Sequence, residues 1–147
     1  MIDGVYITEL KQLVDERGKV MHMLRVDSSL FSRFGEIYFS VINPGVVKAW
    51  KKHSKMTQHI AVPVGRVRLV IYDDRRDSRT YGSLENIETG EDMYLLAQIP
   101  PLVWYGFKNM SPASSLIANC TDLPHSPEEV EQIDSFDKRV PFDWDSI

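Results

Sequence analysis

The segment from Gly45 to Gly65 reads GVVKAWKKHSKMTQHIAVPVG and contains two stretches of alternating side chains. In the first, every second residue from Val47 to His53 is expected on one face, because successive side chains of a strand point to opposite sides. In the second, Gln58 begins a series whose alternate members, at positions 60, 62 and 64, are apolar. The pattern predicts two core-facing strands, and Gln58 lies where the apolar series reaches one end.

Alternation and turn residues recur along the rest of the chain, whereas helical periodicity is nearly absent. About ten short strands with turns between them are typical of a sandwich or barrel. A length of 147 residues fits one domain with a proper core, so residues 1–147 are predicted to form a single all-β domain.

One short helix is predicted near the C-terminus. Ser126 is a suitable N-cap, Pro127 occupies the first helical position, and Glu129 follows the cap at the spacing of a capping box. Val130, Ile133 and Phe136 then recur every three residues and would dock this helix on the sheet. The aromatic residues of the tail after position 140 are expected to pack down as well.

Composition excludes several classes of protein. The net charge of −4 argues against a dedicated nucleic-acid binder, and no apolar run approaches the length of a membrane span. The N-terminus has no pattern of a secretion signal, and the single Cys120 cannot form an intrachain disulfide. A cytoplasmic protein without a membrane partner is expected.

Two segments in the same order resemble the paired motifs of the cupins, a family of β jelly rolls. The first cupin motif has a glycine, five residues, His-x-His, a glutamate and a second glycine; here Lys51-Lys52-His53 and Gln58 stand between Gly45 and Gly65. The second motif falls on Pro100-Pro101-Leu102, Tyr105 and Asn109. The resemblance implies a cupin jelly roll (double-stranded β-helix).

Metal-binding cupins use four motif positions as ligands, and here these positions hold Lys51, His53, Gln58 and Tyr105. Only the histidine is retained. Because lysine and glutamine are poor ligands and zinc or iron usually needs three protein ligands, we expect no metal and no other cofactor. The four side chains should converge at the open end of the roll.

Within the cupins, the chain resembles the dTDP-4-dehydrorhamnose 3,5-epimerases and their shorter relatives over nearly its whole length. The matching segments are Asp15-Glu16-Arg17-Gly18, Gly45–Lys51, Ile71–Arg75, Ile99-Pro100-Pro101, Gly106-Phe107 and Cys120-Thr121-Asp122. The resemblance implies a metal-independent epimerase or isomerase that acts on a nucleoside-diphosphate 4-keto-6-deoxy sugar.

The chain also departs from this family at its catalytic positions. The family's base histidine falls on Lys51, its catalytic lysine on Gln58 and its acid tyrosine on Ala118. An arginine of the family becomes Lys48, which keeps the charge but loses bidentate geometry. The family's residue roles therefore cannot all be transferred to this sequence.

The resemblance leads to specific hypotheses for the site. Enolisation next to a ketone needs a base, an acid and a positive charge for the enolate oxygen. We assign these roles to His53, Tyr105 and Lys51, with Lys51 expected to stay cationic; a large fall in its pKa would instead make it a base. The residues expected to bind substrate are Arg17, Lys48, Gln58 and Asn109.

Two alternatives remain open. Loss of the family's catalytic positions favours a non-catalytic cupin that binds a sugar nucleotide or carbohydrate, whereas a metal-dependent oxygenase is disfavoured by the missing ligands.

The exposed strand edges of a small jelly roll favour a homodimer in which the Arg17 turn completes the neighbour's site.

Overall fold

The computed structural model describes residues 1–147 and contains twelve strands with two short 3-10 turns. The strands are β1 Tyr6–Glu9, β2 Gln12–Asp15, β3 Gly18–Met21, β4 Glu36–Ile42, β5 Val47–His53, β6 Gln58–Val64, β7 Arg66–Tyr72, β8 Leu84–Gly90, β9 Leu95–Ile99, β10 Trp104–Asn109, β11 Ser115–Thr121 and β12 Val130–Gln132. The 3-10 turns are Pro127–Glu129 and Trp144–Ser146.

Ten of these strands form two five-stranded antiparallel sheets, in the orders β1-β9-β6-β11-β4 and β12-β5-β10-β7-β8. Strands β2 and β3 form a separate hairpin. Side chains from both large sheets, including Ile60, Leu69 and Ile117, meet in a buried apolar core between them. The predicted all-β jelly roll is confirmed.

An irregularity in β5 determines which of its lysines face the interior. Tyr105 pairs with Lys51 and Phe107 pairs with Lys48, so three residue steps on β5 lie opposite two on β10. This bulge places Lys48 and Lys51 on the same side. The strict alternation expected from Val47 to His53 is therefore wrong, because one extra residue shifts the face of everything before it.

A second apolar cluster covers the outer face of the sheet that contains β5. Trp50 and Trp104 project from this face and pack against Val140 and Trp144 of the C-terminal tail. The indole of Trp50 also donates a hydrogen bond to the carbonyl of Ser135 at 3.0 Å. The aromatic tail thus packs down as predicted, which seals one face of the sheet.

The helix predicted after Ser126 is limited to the single 3-10 turn Pro127–Glu129. Residues Val130–Gln132 then pair with β5 as an edge strand, β12, instead of continuing a helix. Sheet hydrogen bonds offered by the edge of β5 outweigh the weak local helical preference of so short a segment.

Candidate active site

An inner cavity of about 80 Å³ opens between the two sheets. Its walls combine an apolar floor with polar side chains near the opening, and the lining residues are Tyr38, Ser40, Lys48, Lys51, Ile60, Tyr105, Phe107, Ile117 and Asn119. A cleft with an apolar floor and a few convergent polar groups is the usual form of a small-molecule site. The two β5 lysines reach it because of the bulge.

An outer cavity of about 220 Å³ lies next to the inner one and shares Tyr38 and Lys51 with it. Most of its lining residues have polar or charged side chains, Glu36, His53 and His125 among them. The two cavities together form the mouth of the roll. Lys51, His53 and Tyr105 are thus brought together there, as the sequence predicts.

A chain of hydrogen bonds connects three side chains at the mouth. Nδ1 of His53 bonds to the carboxylate of Glu129, and Nε2 of His53 lies 3.1 Å from Oη of Tyr105. Because the carboxylate can only accept, Nδ1 carries the proton and Nε2 is the acceptor for the tyrosine hydroxyl. Tyr105, His53 and Glu129 therefore form one proton relay that ends at the inner cavity.

The sequence pattern places Glu129 in a helix cap and does not indicate its contact with His53. Its Oε2 accepts hydrogen bonds from the backbone N–H groups of Lys55 and Met56, both at 3.2 Å. Burial alone would raise the pKa of Glu129, but the hydrogen bonds from His53 and these amides lower it below the usual carboxyl value. The contact spans 76 residues, so no local pattern could reveal it.

The relay is nearly closed to water. Only 6% of the His53 side chain and 10% of the Glu129 side chain are exposed, and Tyr105 is 5% exposed. Burial, with smaller contributions from Tyr38 and Glu129, raises the pKa of Tyr105 well above its ordinary value. Tyr105 therefore carries its proton at rest and can donate it to His53.

Gln58 lies behind the relay and links it to the opposite sheet. Its Oε1 accepts from Nδ2 of Asn119 at 2.5 Å and from the hydroxyl of Tyr38 at 3.5 Å, and it lies 3.5 Å from Oη of Tyr105, whose one proton is directed to His53. Asn119 also donates to Oη of Tyr38 at 2.9 Å. Gln58 is 1% exposed and does not line either cavity, so it orients residues at the mouth rather than touching a ligand.

The two lysines of the inner cavity differ in their partners. Nζ of Lys48 donates to Oγ of Ser40 at 3.0 Å and to the carbonyl of Val41 at 2.8 Å. Lys51 makes no hydrogen bond or ion pair within the chain. Burial and the nearby charge of Lys48 lower the pKa of Lys51. No carboxylate neutralises either lysine, so the cavity favours an anionic or electron-rich ligand.

Two predicted substrate-binding residues lie elsewhere in the chain. Arg17 is at the tip of the β2–β3 hairpin, where its side chain is 83% exposed and pairs with Asp15 at 2.6 Å. Asn109 is at the far end of β10 from Tyr105, and its amide nitrogen bonds to the carbonyls of Ile42 and Ala113 at 2.8 and 2.9 Å. Asn109 therefore stabilises loops, and Arg17 does not reach the mouth of its own chain.

Ala118, which occupies the position of the family's acid tyrosine, does not face the inner cavity. Ile117 and Asn119 line the inner cavity, so Ala118 between them faces the other side of β11. Tyr38 on the adjacent β4 presents a hydroxyl to the cavity instead, a residue that the sequence did not single out. Burial raises the pKa of Tyr38, while its hydrogen bond with Asn119 lowers it in part.

The structure contains no group of three or more His, Cys, Asp or Glu side chains that could hold a metal ion. Nor does any helix in it have the length and apolar character needed to cross a membrane. At the four cupin ligand positions, His53 and Tyr105 hydrogen-bond to each other, Gln58 accepts a hydrogen bond from Asn119, and Lys51 faces the cavities.

Comparison with known proteins identifies the family. The family model described as dTDP-4-dehydrorhamnose 3,5-epimerase matches residues 1–147. The chain belongs to this family. The match confirms the resemblance read from the sequence, and with it an epimerase- or isomerase-type enzyme.

Two similar proteins match nearly the whole chain. A dTDP sugar isomerase from Desulfovibrio desulfuricans G20 is 48% identical with a TM-score of 0.97, over 99% of this chain and 94% of that one. The probable low-salt glycan biosynthesis epimerase Agl13 of Haloferax volcanii is 35% identical over 144 residues, 97% of this chain and 89% of that protein.

A more distant structure contains a ligand. The dTDP-6-deoxy-D-glucose-3,5-epimerase RmlC of Legionella pneumophila, in complex with dTDP-4-keto-L-rhamnose, is 25% identical with a TM-score of 0.86, over 97% of this chain and 79% of that one. These matches also confirm the RmlC-like cupin fold.

Proposed function

We propose that this enzyme converts a nucleoside-diphosphate 4-keto-6-deoxy sugar by enolisation next to the ketone. The observation that carries the proposal is the relay of Tyr105, His53 and Glu129, which ends at a cavity that also contains Lys51. Family membership and the dTDP-sugar names of the similar proteins support the substrate class.

The relay supplies one balanced proton transfer. Tyr105 takes a proton from the carbon next to the ketone while its own hydroxyl proton passes to Nε2 of His53. The imidazolium that forms is stabilised by Glu129, whose carboxylate also fixes the ring orientation. Delivery of a proton from solvent to the opposite face of that carbon, or to another atom of the enolate, gives the product, and loss of the extra proton from His53 resets the relay. His53 and Tyr105 thus act together rather than as a separate base and acid.

The lysines account for the charges of the substrate. Lys51 supplies positive charge at the ketone oxygen, where negative charge develops during enolisation. Lys48, which lines the same cavity, is proposed to bind the diphosphate. Gln58 takes part only by orienting Tyr105 and Asn119, and Asn109 has no direct role in this proposal.

Deuterium uptake from heavy water into dTDP-4-keto-6-deoxyglucose tests the proposal. We expect the wild-type enzyme to incorporate deuterium at a carbon next to the ketone. His53→Ala should bind the sugar nucleotide with similar affinity but stop exchange, because the relay loses its proton acceptor. Binding by the wild type without any exchange would favour the non-catalytic sugar-nucleotide-binding protein instead.

We further propose that the enzyme is a cytoplasmic homodimer in which Arg17 reaches the partner's mouth. Arg17 is exposed on a hairpin whose apolar residues Leu13, Val14 and Val20 are 46%, 73% and 60% exposed. A second copy that covers this hairpin would bury apolar surface and bring a guanidinium to the diphosphate. A monomer in solution scattering at micromolar concentration would contradict the dimer.

A further inference from the structure

The amine of Lys51 is the one lysine nitrogen at the mouth that is not held by a partner. The Nζ of Lys48 donates hydrogen bonds to Ser40 and Val41, so it is already held in place. Lys52 points to the other face of β5 and pairs with Asp74 at 3.0 Å. Lys51 lines both cavities and is open to a ligand.

Three features around Lys51 match the requirements of a nucleophilic lysine. The first is a neighbouring cation, because the β5 bulge places Lys48 in the same cavity. The second is an apolar floor formed by Ile60, Phe107 and Ile117. The third is a proton relay within the same cavity, which ends at Tyr105. Lysines next to another cationic group in an apolar pocket form imines with ketone substrates.

We propose that Lys51 is a nucleophile whose amine condenses with the C4 ketone of the sugar, forming a covalent imine in the inner cavity. This inference rests on the proposed function, because it needs a keto sugar at the mouth. It changes the role of Lys51 from an ammonium group that contacts the ketone oxygen to an electron sink bonded to the carbon.

The chemical steps balance without an oxidant or a reductant. Nitrogen of Lys51 bonds to C4, and the ketone oxygen leaves as water with one proton taken up, giving a protonated imine. Tyr105 then removes a proton from the neighbouring carbon and passes its own to His53, and the C–H electron pair neutralises the imine as an enamine. Return of the proton and addition of water release the ketone and the free amine.

Imine formation requires the uncharged amine of Lys51, and the surroundings of Lys51 favour that form. Lys51 as a whole residue is exposed, but partial desolvation at the cavity and the charge of Lys48 lower its pKa below the ordinary lysine value, which increases the fraction of uncharged amine. A protonated imine also withdraws electrons from the neighbouring carbon more strongly than a ketone does. The loss of the family's lysine at position 58 in β6 is thereby compensated by a lysine of β5, in the opposite sheet.

Reductive trapping tests the imine directly. The wild-type protein is incubated with dTDP-4-keto-6-deoxyglucose and sodium cyanoborohydride, and intact mass and peptide mapping follow. We expect an adduct with the mass of the substrate less one oxygen atom, located on Lys51. Absence of an adduct, or an adduct spread over other lysines such as the exposed Lys55, would overturn the proposal.

Matched variants separate a covalent role from an electrostatic one. Lys51→Arg keeps the positive charge but cannot form an imine, so both the adduct and deuterium exchange should be lost. Lys48→Met removes the neighbouring cation and should move adduct formation to higher pH. Lys52→Met, on the outer face, should form the adduct like the wild type. If Lys51→Arg exchanged deuterium at the wild-type rate, the imine proposal would be overturned.

A second measurement on the wild type does not depend on any variant folding. Imine formation and hydrolysis replace the ketone oxygen with one from solvent, so the enzyme should accelerate uptake of ¹⁸O from labelled water. Deuterium exchange with neither adduct nor ¹⁸O uptake would overturn the imine and leave the proposed function standing. An adduct on Lys51 without deuterium exchange would support the imine and contradict the proposed enolisation.

Discussion

Lys51 and Lys52 are neighbours in sequence but project from opposite faces of β5 into different environments. Lys52 is 19% exposed, pairs with Asp74 at 3.0 Å and Glu131 at 3.8 Å, and lies 4.4 Å from the ring centre of Trp104. Lys51 has no such partner and lines the mouth instead. Two identical side chains therefore have distinct roles, one structural and one available to a ligand.

The same difference separates two glutamates of the neighbouring segment. Glu129 is nearly buried against His53, whereas the side chain of Glu131 is 50% exposed and pairs with Lys52 and Arg139. Charges on the outer face are neutralised by local ion pairs, which contribute modestly to stability. Charges at the mouth are directed toward the relay or the cavity, and their removal should affect catalysis.

The largest effect is expected from Lys51→Met. Loss of the Lys51 amine at the ketone should lower kcat/KM for deuterium exchange by about 10²- to 10³-fold and weaken sugar-nucleotide binding. Lys52→Met should keep the activity near the wild-type value and lower the free energy of unfolding by about 1 kcal/mol, since it loses an ion pair and a cation–π contact.

Exchange kinetics and denaturant titration of both variants provide the measurements. If Lys51→Met bound and exchanged like the wild type, the mouth would not be the site. If Lys52→Met lost activity to the same extent, the distinction between the two faces of β5 would be wrong.

Glu129→Gln should come next, with exchange lowered by about 10²-fold, because an amide stabilises the imidazolium of His53 less well than a carboxylate does. Glu131→Gln, two residues away on the outer face, is the matched control and should retain activity. Equal losses in the two variants would show that the segment acts through folding alone. Exchange rates at saturating substrate distinguish these outcomes.

The stability contribution of Glu129 should depend on pH in a defined direction. Its pKa is lowered in the folded protein, so its contribution is present above the unfolded carboxyl value of about 4.3 and is lost as the pH falls through the lower folded value. Urea titrations should therefore show a wild-type advantage over Glu129→Gln near pH 7 that shrinks toward pH 3. An advantage that grows on acidification would contradict this assignment.

The smallest effect is expected from Asp74→Asn. The new side chain can still accept the hydrogen bond that Trp104 Nε1 donates at 2.8 Å, but the charge opposite Lys52 is lost. We expect a loss of about 0.5–1 kcal/mol in unfolding free energy and no change in exchange. Asp77→Asn, at an exposed position of the same loop, should leave the free energy of unfolding unchanged. If Asp77→Asn lowered it as much as Asp74→Asn does, the loss could not be attributed to the ion pair with Lys52.

Part of the site was predictable because it follows from spacing within single strands. The two cupin motifs place His53 and Tyr105 at one end of adjacent strands, and the structure brings them to 3.1 Å. The same reasoning failed for Lys48, because a bulge inserts one residue in β5 and reverses the face of the residues before it. Strand alternation contains no information about where a bulge occurs.

The amino-acid sequence alone determined the all-β class, the jelly roll, the family and the position of the mouth, because each depends on local alternation and on motifs read in order. Only the tertiary structure decided that Glu129 orients His53 and that Tyr38 faces the cavity. It also placed Asn109 outside the site. These contacts join side chains on distant segments, and their geometry depends on how the two sheets pack, which no local sequence pattern specifies.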